Sequence, residues 1–226
     1  MRLQLLSCLS FFLFSAAVAQ DSDCDCSQTV TIQRFTVNDS SPETLDTITE
    51  AMSEFKAAHS DEIDAAFFGV VPDTNPIIAE QAFLWRSPAD SSLDVAEPFL
   101  RFSTTGELNG SATAILPNKT SVYMSFRAPV TETIFQNIVP GSDLERLEAV
   151  SAYLSVNIRS YKDGNGSSIG WEYNGTRRIV LGGWATLTAS DEWLAGVDNV
   201  TATVYGVLDT TIVNMDPLYK PLVEID

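Results

Sequence analysis

Apolar residues along this chain follow two periods in turn, and the order of those periods recurs. Val30 and Ile32 alternate with polar neighbours before Arg34 and Phe35, which predicts a half-buried strand over Thr29 to Val37 with one irregularity. Ser41-Pro42-Glu43 announces a helix: the serine caps it, and proline at the first helical position has no N–H to leave unpaired. Leu45, Ile48, Met52, Phe55 and His59 follow at spacings of three and four, one stripe of one helix. Ala65 to Val71 reads as a second strand running into a proline-rich turn. Ile77 to Arg86 reads as a third, ending in Trp85, and Pro88 opens a less regular helix that Pro98 interrupts or ends.

The second half repeats this plan. Pro140-Gly141-Ser142-Asp143 is a turn and cap, and Leu144, Leu147, Ser151, Leu154 and Ile158 stand 99 residues beyond the first stripe. The same offset relates Trp85 to Trp184. Ser168 to Tyr173 and Arg177 to Leu187 form two strands around Asn174-Gly175, a strong hairpin dipeptide. A short helix capped by Thr188 or Ser190 follows, Val200 to Leu208 continues it, and Thr210 to Met215 is a last strand.

Each half therefore reads β-α-β-β-α-β, the ferredoxin-like unit, and the fold class is α+β. One such half leaves a sheet face uncovered, and the second half supplies its cover, so two tandem repeats are expected to close one intrachain barrel. Either Ser111 to Leu116 closes the first half and Ser121 to Phe126 opens the second, or Ser121 to Phe126 closes it and Val130 to Ile138 opens the next. The second arrangement is preferred, placing the repeats at 29–127 and 128–226.

Composition changes the picture at the N-terminus. Met1-Arg2, an apolar Leu3 to Phe14 and the small residues Ala17-Val18-Ala19 make residues 1–19 a secretory signal, followed by a polar tail over 20–28. No later stretch is apolar enough to span a membrane, and no hydrophobic C-terminal tail suggests a lipid anchor. Acceptors for N-glycosylation begin at Asn38, Asn109, Asn118, Asn165, Asn174 and Asn199. The expectation is a secreted, extracellular glycoprotein. A net charge of −17 would repel nucleic acid and anionic membranes, which require clustered lysine and arginine. Cys24 and Cys26 lie in the tail, where they either pair with each other or link two chains into a disulfide-bonded dimer.

The halves, the strand-Trp stretch Val180-Leu-Gly-Gly-Trp184 and Pro129-Val-Thr-Glu132 resemble the dimeric α+β barrels, in particular the antibiotic-biosynthesis-monooxygenase-like proteins of fungi, which carry the barrel as a tandem repeat. The resemblance implies oxidation or cyclisation of a small, often aromatic or polyketide-like molecule with no metal or organic cofactor. Several relatives place a histidine in the helix after the Trp strand, where this chain has Ala189, Ser190 and Asp191.

Candidate chemistry is sparse. His59, the single histidine, rules out multi-histidine metal sites; it is the candidate base, with an arginine or Tyr123 orienting an oxyanion. Trp85, Trp184, Ser151 and Arg34 are the candidate lining of a ligand pocket, and Arg86 and Arg178 are further strand-placed cations able to hold a phenolate or carboxylate. Gly166-Ser167-Ser168-Ile169-Gly170 matches a nucleophile-elbow pattern but precedes a strand instead of following one, so it reads as a loop. The alternative function is a non-catalytic secreted ligand-binding or surface protein on the same scaffold.

Overall fold

The computed structural model describes residues 27–37, 41–71, 74, 76–88, 106–173, 175, 177–196 and 212–226, the last group up to 219 by its backbone alone. In chain order the first half holds β1 (Gln28–Val37), α1 (Pro42–Ala58), β2 (Ile63–Val70), β3 (Ile77–Trp85) and β4 (Gly106–Leu116). A linking helix α2 (Lys119–Phe126) leads to β5 (Val130–Ile138), α3 (Leu144–Ser160), β6 (Gly164–Glu172), β7 (Arg177–Trp184), α4 (Ala189–Ala195), β8 (Ile212–Lys220) and β9 (Val223–Ile225). The helix expected from Pro88 and the one over Val200 to Leu208 lie outside the described residues.

The nine strands of the described residues form one antiparallel sheet in the order β8-β5-β7-β6-β4-β1-β3-β2-β9. Only Pro221 and Leu222 separate β8 from β9, so its two ends are one run of chain and the sheet closes into a barrel. Each half contributes the same block, β4-β1-β3-β2 and β8-β5-β7-β6. At both seams the last strand of one half meets the second strand of the other: β4 on β6, and the β8–β9 run on β2. Two tandem ferredoxin-like repeats thus make one intrachain barrel.

The repeat is not related by a constant 99 residues. Trp85 and Trp184 keep that offset, but their register partners Thr29 and Val130 stand 101 apart. The bulge after Ile63 recurs after Gly164, again 101 apart, and the helix caps Ser41 and Asp143 stand 102 apart. A hairpin loop two residues longer in the first half makes up the difference. An amphipathic stripe matches itself after a slip of about one turn, which is why the helices also align at 99. His59 therefore corresponds to Tyr161 at the C-cap, not to Ile158.

Ser121 to Phe126, expected as a strand, is the helix α2. Asn118 (φ 60°) accepts a hydrogen bond from the Ser121 N–H and caps it. Val122 and Phe126, four residues apart, then drop into the end of the barrel, where Phe126 stacks on Phe67 at 5.1 Å. The strand that closes the first half is β4. The stretch Gly164 to Ser167 belongs to β6 instead of a loop: its glycines meet a close neighbour, since a Cβ on Gly166 would come within 2.6 Å of the Ser121 carbonyl. The final strand extends to Lys220, beyond the expected Met215, because its backbone pairs with β5 throughout.

Inside the barrel Val30, Ile32, Ala65, Phe67, Leu84, Leu116, Ile179 and Leu181 pack together, around a buried charge cluster. Glu80 holds Arg34 at 3.0 Å and Lys220 at 2.7 Å, and Thr133 donates to Glu80 while accepting from both cations. Burial pushes the Lys220 ammonium below its ordinary pKa, and Glu80 pulls it back in part. Outside the barrel, α1 packs Ile48, Met52 and Phe55 over Phe83 and Trp85, and α3 packs Leu147, Val150 and Leu154 over the second half. Among the described residues no helix is long and apolar enough to cross a membrane.

Candidate functional site

Among the described residues, the outer face of the second half carries an arrangement that ordinary packing leaves unexplained. Register places three rows across β5, β7 and β6: Gln136–Arg178–Trp171, Ile134–Val180–Ile169 and Glu132–Gly182–Ser167. In the first row Arg178 is 1% exposed. Its Nη2 donates to the Ser151 hydroxyl on α3, and its guanidinium lies 5.5 Å from the Trp171 ring, whose indole N–H donates to Glu148. Among the described residues its Nε and Nη1 have no hydrogen-bond partner. Buried donors are nearly always satisfied, so two orphans on one cation call for an explanation. Burial brings the Arg178 pKa down from 12.5 to about 10, with the Glu148 charge restoring only part. That shift disfavours the charged form by roughly 3 kcal/mol, which an anion laid against it would recover in part.

The third row ends in a buried carboxylate. Glu132 accepts the Trp184 indole N–H at 2.8 Å, and a Cβ on Gly182 would stand 3.0 Å from its carboxylate oxygen. The two glycines of Leu181-Gly-Gly-Trp184 thus have separate duties. Gly182 makes room for Glu132, and Gly183 lets α2 approach, since a Cβ there would meet Ser125 Cα at 2.8 Å. Between the end rows Ile134 and Ile169 are only half buried, while α3 lies chiefly over β6. An apolar strip therefore separates a cation from a carboxylate, four residues and about 13 Å apart along β7.

The residues expected to line one site are dispersed. Arg34 points into the barrel and is held by Glu80 and Thr133. Trp85 is buried beneath α1 and donates to Thr31, and Trp184 donates to Glu132. Ser151 donates back to the Leu147 carbonyl at 2.6 Å and accepts from Arg178, which places it at the candidate site. His59 is the C-cap of α1, partly exposed, with its ring 4.6 Å from Phe55 and Nδ1 3.9 Å from Glu62. Ser168 is buried and donates to the Pro117 carbonyl, so the elbow-like pattern holds no exposed nucleophile. Glu132 and Gln136 carry no motif that marks them as site residues. Alternation along β5 points both outward, but only the tertiary structure buries them.

Tyr123 lies elsewhere, on an open groove of about 660 Å³ along α2 lined by Lys119, Thr120, Met124, Arg127, Pro129 and Asn165 among others. Burial raises the Tyr123 pKa, and the hydrogen bond to Asp64 raises it further, so the phenol keeps its proton. For Asp64 burial opposes ionisation, but the hydrogen bonds from Lys119 and Tyr123 and the charges of Lys119 and Arg86 outweigh it and hold its pKa below 3.8. Of the acceptor asparagines, Asn109 is exposed and Asn118 and Asn165 are half buried, whereas Asn38, Asn174 and Asn199 lie outside the described residues. So do Cys24 and Cys26. Among the described residues no group of three or more His, Cys, Asp or Glu side chains is placed to hold a metal ion.

No protein-family model matches the sequence, and no curated protein sequence does so significantly. Solved structures match throughout. A candidate monooxygenase from Fusobacterium nucleatum superposes with a TM-score of 0.66 at 8% identity, covering 90% of this chain and 96% of its own. An anthrone oxidase-like protein gives 0.63 at 12% identity, covering 88% and 92%. A chlorite dismutase variant from Candidatus Nitrospira defluvii gives 0.58 at 11% identity, again covering 88% and 92%. These likenesses, at 12% identity or below, show the fold alone: two ferredoxin-like units closed into one α+β barrel.

Proposed function

We propose that this chain is a secreted, glycosylated barrel protein that binds a small anionic aromatic molecule against Arg178 and carries out cofactor-free tailoring chemistry on it, an oxidation or cyclisation of a polyketide-like phenol. The observation that carries this reading is the buried Arg178 guanidinium with two nitrogens unpartnered. A phenolate or carboxylate supplies the missing acceptor and charge. Trp171 offers a ring beside it, and the strip Ile134–Val180–Ile169 offers apolar surface for a planar body. An ionised phenol is also the electron-rich form that reacts with dioxygen unaided, so the protein has to hold the charge and exclude water. Glu132, at the far end of the strip, is the group placed to take a proton. The monooxygenase and oxidase names among the structural neighbours support this class of chemistry.

The test titrates the secreted protein with hydroxylated aromatic acids and phenols, following tryptophan fluorescence, dioxygen uptake and product mass. Arg178→Gln should weaken binding of the anionic members at least tenfold and leave neutral analogues unchanged. Equal binding of anions by both proteins would remove the reading. A second reading, a non-catalytic carrier on the same site, is favoured by the place of His59 at the C-cap of α1, in the other half of the chain. Binding without dioxygen uptake or product would select it.

A further inference from the structure

The groove along α2 and a smaller cleft of about 150 Å³ meet at Thr120, Met124 and Asn165, and the cleft also contains Asn118. Two glycan acceptors 47 residues apart in sequence, Asn118-Lys-Thr120 and Asn165-Gly-Ser167, thus open into one continuous depression. We propose that this depression seats the chain's own carbohydrate: an N-linked glycan on Asn165 folds back along α2, its first two N-acetylglucosamine units covering Met124 and the exposed part of Tyr123, while a second glycan rises from Asn118. The inference rests on the secreted, glycosylated reading above.

Both asparagines are built for this. Asn165 is the extra residue of the bulge between Gly164 and Gly166, and a bulge re-aims the unpaired side chain. Asn118 caps α2 through Oδ1, at 2.9 Å from the Ser121 nitrogen, whereas a glycan bonds to Nδ2. The cap and the sugar are therefore compatible. In the transfer, Nδ2 loses a proton and bonds C1 of the first sugar as the C1–O bond to the lipid diphosphate breaks, so the oligosaccharide stays on the asparagine and the lipid diphosphate leaves. The Ser167 hydroxyl that the acceptor requires is fully buried after folding, with its backbone exchanging hydrogen bonds with the Ser121 hydroxyl on α2. Transfer to Asn165 must then precede the docking of α2 on β6.

The chemistry of the depression suits a neutral sugar over a charged ligand. Its three cations are already engaged, Lys119 with Asp64 at 2.7 Å, Arg127 with Glu224 at 2.8 Å and Arg159 with the Ser167 carbonyl at 3.4 Å. What remains is an exposed apolar methionine, a tyrosine edge, Pro129 and a rim of donors, and a sugar presents an apolar face and hydroxyls to match them. A volume of about 660 Å³ also lies in the range that takes a molecule of disaccharide size.

The test expresses the chain in a glycosylating secretory host and maps site occupancy by mass spectrometry. The rate at which a peptide N-glycosidase releases each glycan from the native protein is then compared with the rate after denaturation. The Asn165 glycan should be released natively at least tenfold more slowly than the glycan on exposed Asn109, and denaturation should close the gap. Met124→Asp, an exposed substitution, should bring the two native rates together. An Asn165 glycan released as fast as that on Asn109, or an unoccupied Asn165 beside other occupied sites, overturns the seating and leaves the glycoprotein reading intact. Absence of glycan at every site overturns both.

Discussion

The Arg34 guanidinium lies 3.9 Å from the centre of the Phe135 ring, and these two residues hold the same place in their repeats. Each stands five residues beyond the register partner of its half's tryptophan, Thr29 opposite Trp85 and Val130 opposite Trp184. Across the next strand Arg34 faces Glu80, whereas Phe135 faces Ile179. The two copies have diverged at their shared centre into a charged pair and an apolar pair, stacked on one another.

Breaking that centre by halves should cost more than replacing it whole. Glu80→Ala leaves Arg34 and Lys220 buried without their carboxylate and should destabilise by about 3–5 kcal/mol. Arg34→Met, Glu80→Leu and Lys220→Met together should cost far less, or stabilise. Denaturant titration of the two variants checks the order.

Seating of α2 depends on the missing side chains beneath it. Gly166→Ala would drive a methyl into the Ser121 carbonyl and the Ser125 hydroxyl, and overpacking of that kind costs roughly 1–3 kcal/mol. Gly175→Ala (φ 68°) meets nothing within 4 Å, so only backbone strain opposes it and the loss should be smaller. Melting temperatures of the pair separate contact from strain.

Acid should loosen the joint between β2 and α2. The Asp64 pKa is depressed in the folded chain, so its contribution is present above pH 3.8 and is lost as pH falls through the lower folded value. Asp64→Asn should destabilise at neutral pH and flatten the stability profile below pH 4, as read by denaturant midpoints from pH 2 to 6.

Removal of residues 221–226 should open the barrel along β2. This segment pairs Ala66 to Phe68 with Ile225 to Val223, and Lys56 donates to the Ile225 carbonyl from α1. An unpaired β2 edge invites association. Truncation should lower the melting temperature and yield concentration-dependent light scattering; unchanged, monomeric behaviour would contradict the closure.

The pattern of periods alone determined the duplicated plan, the Ser41–Pro42 helix start and the Trp-ended strands. Each is encoded in neighbouring residues, by caps, turn residues and alternation. Slippage by one helical turn and the strand predicted over Ser121 to Phe126 show the limit of such signals. A stripe of period 3.6 matches itself when shifted, and six residues of mixed polarity satisfy either period. Glycines at 164 and 166 resemble a loop until the end of α3 is seen to approach the first and α2 the second. The candidate site was legible only in part: Arg178, Ser151 and Trp171 were visible as residue types, while the orphaned state of Arg178 and the burial of Glu132 depend on β5, β6, β7 and α3 together. A side chain's unmet hydrogen bonds are a property of everything packed around it, so only the closed barrel could reveal them.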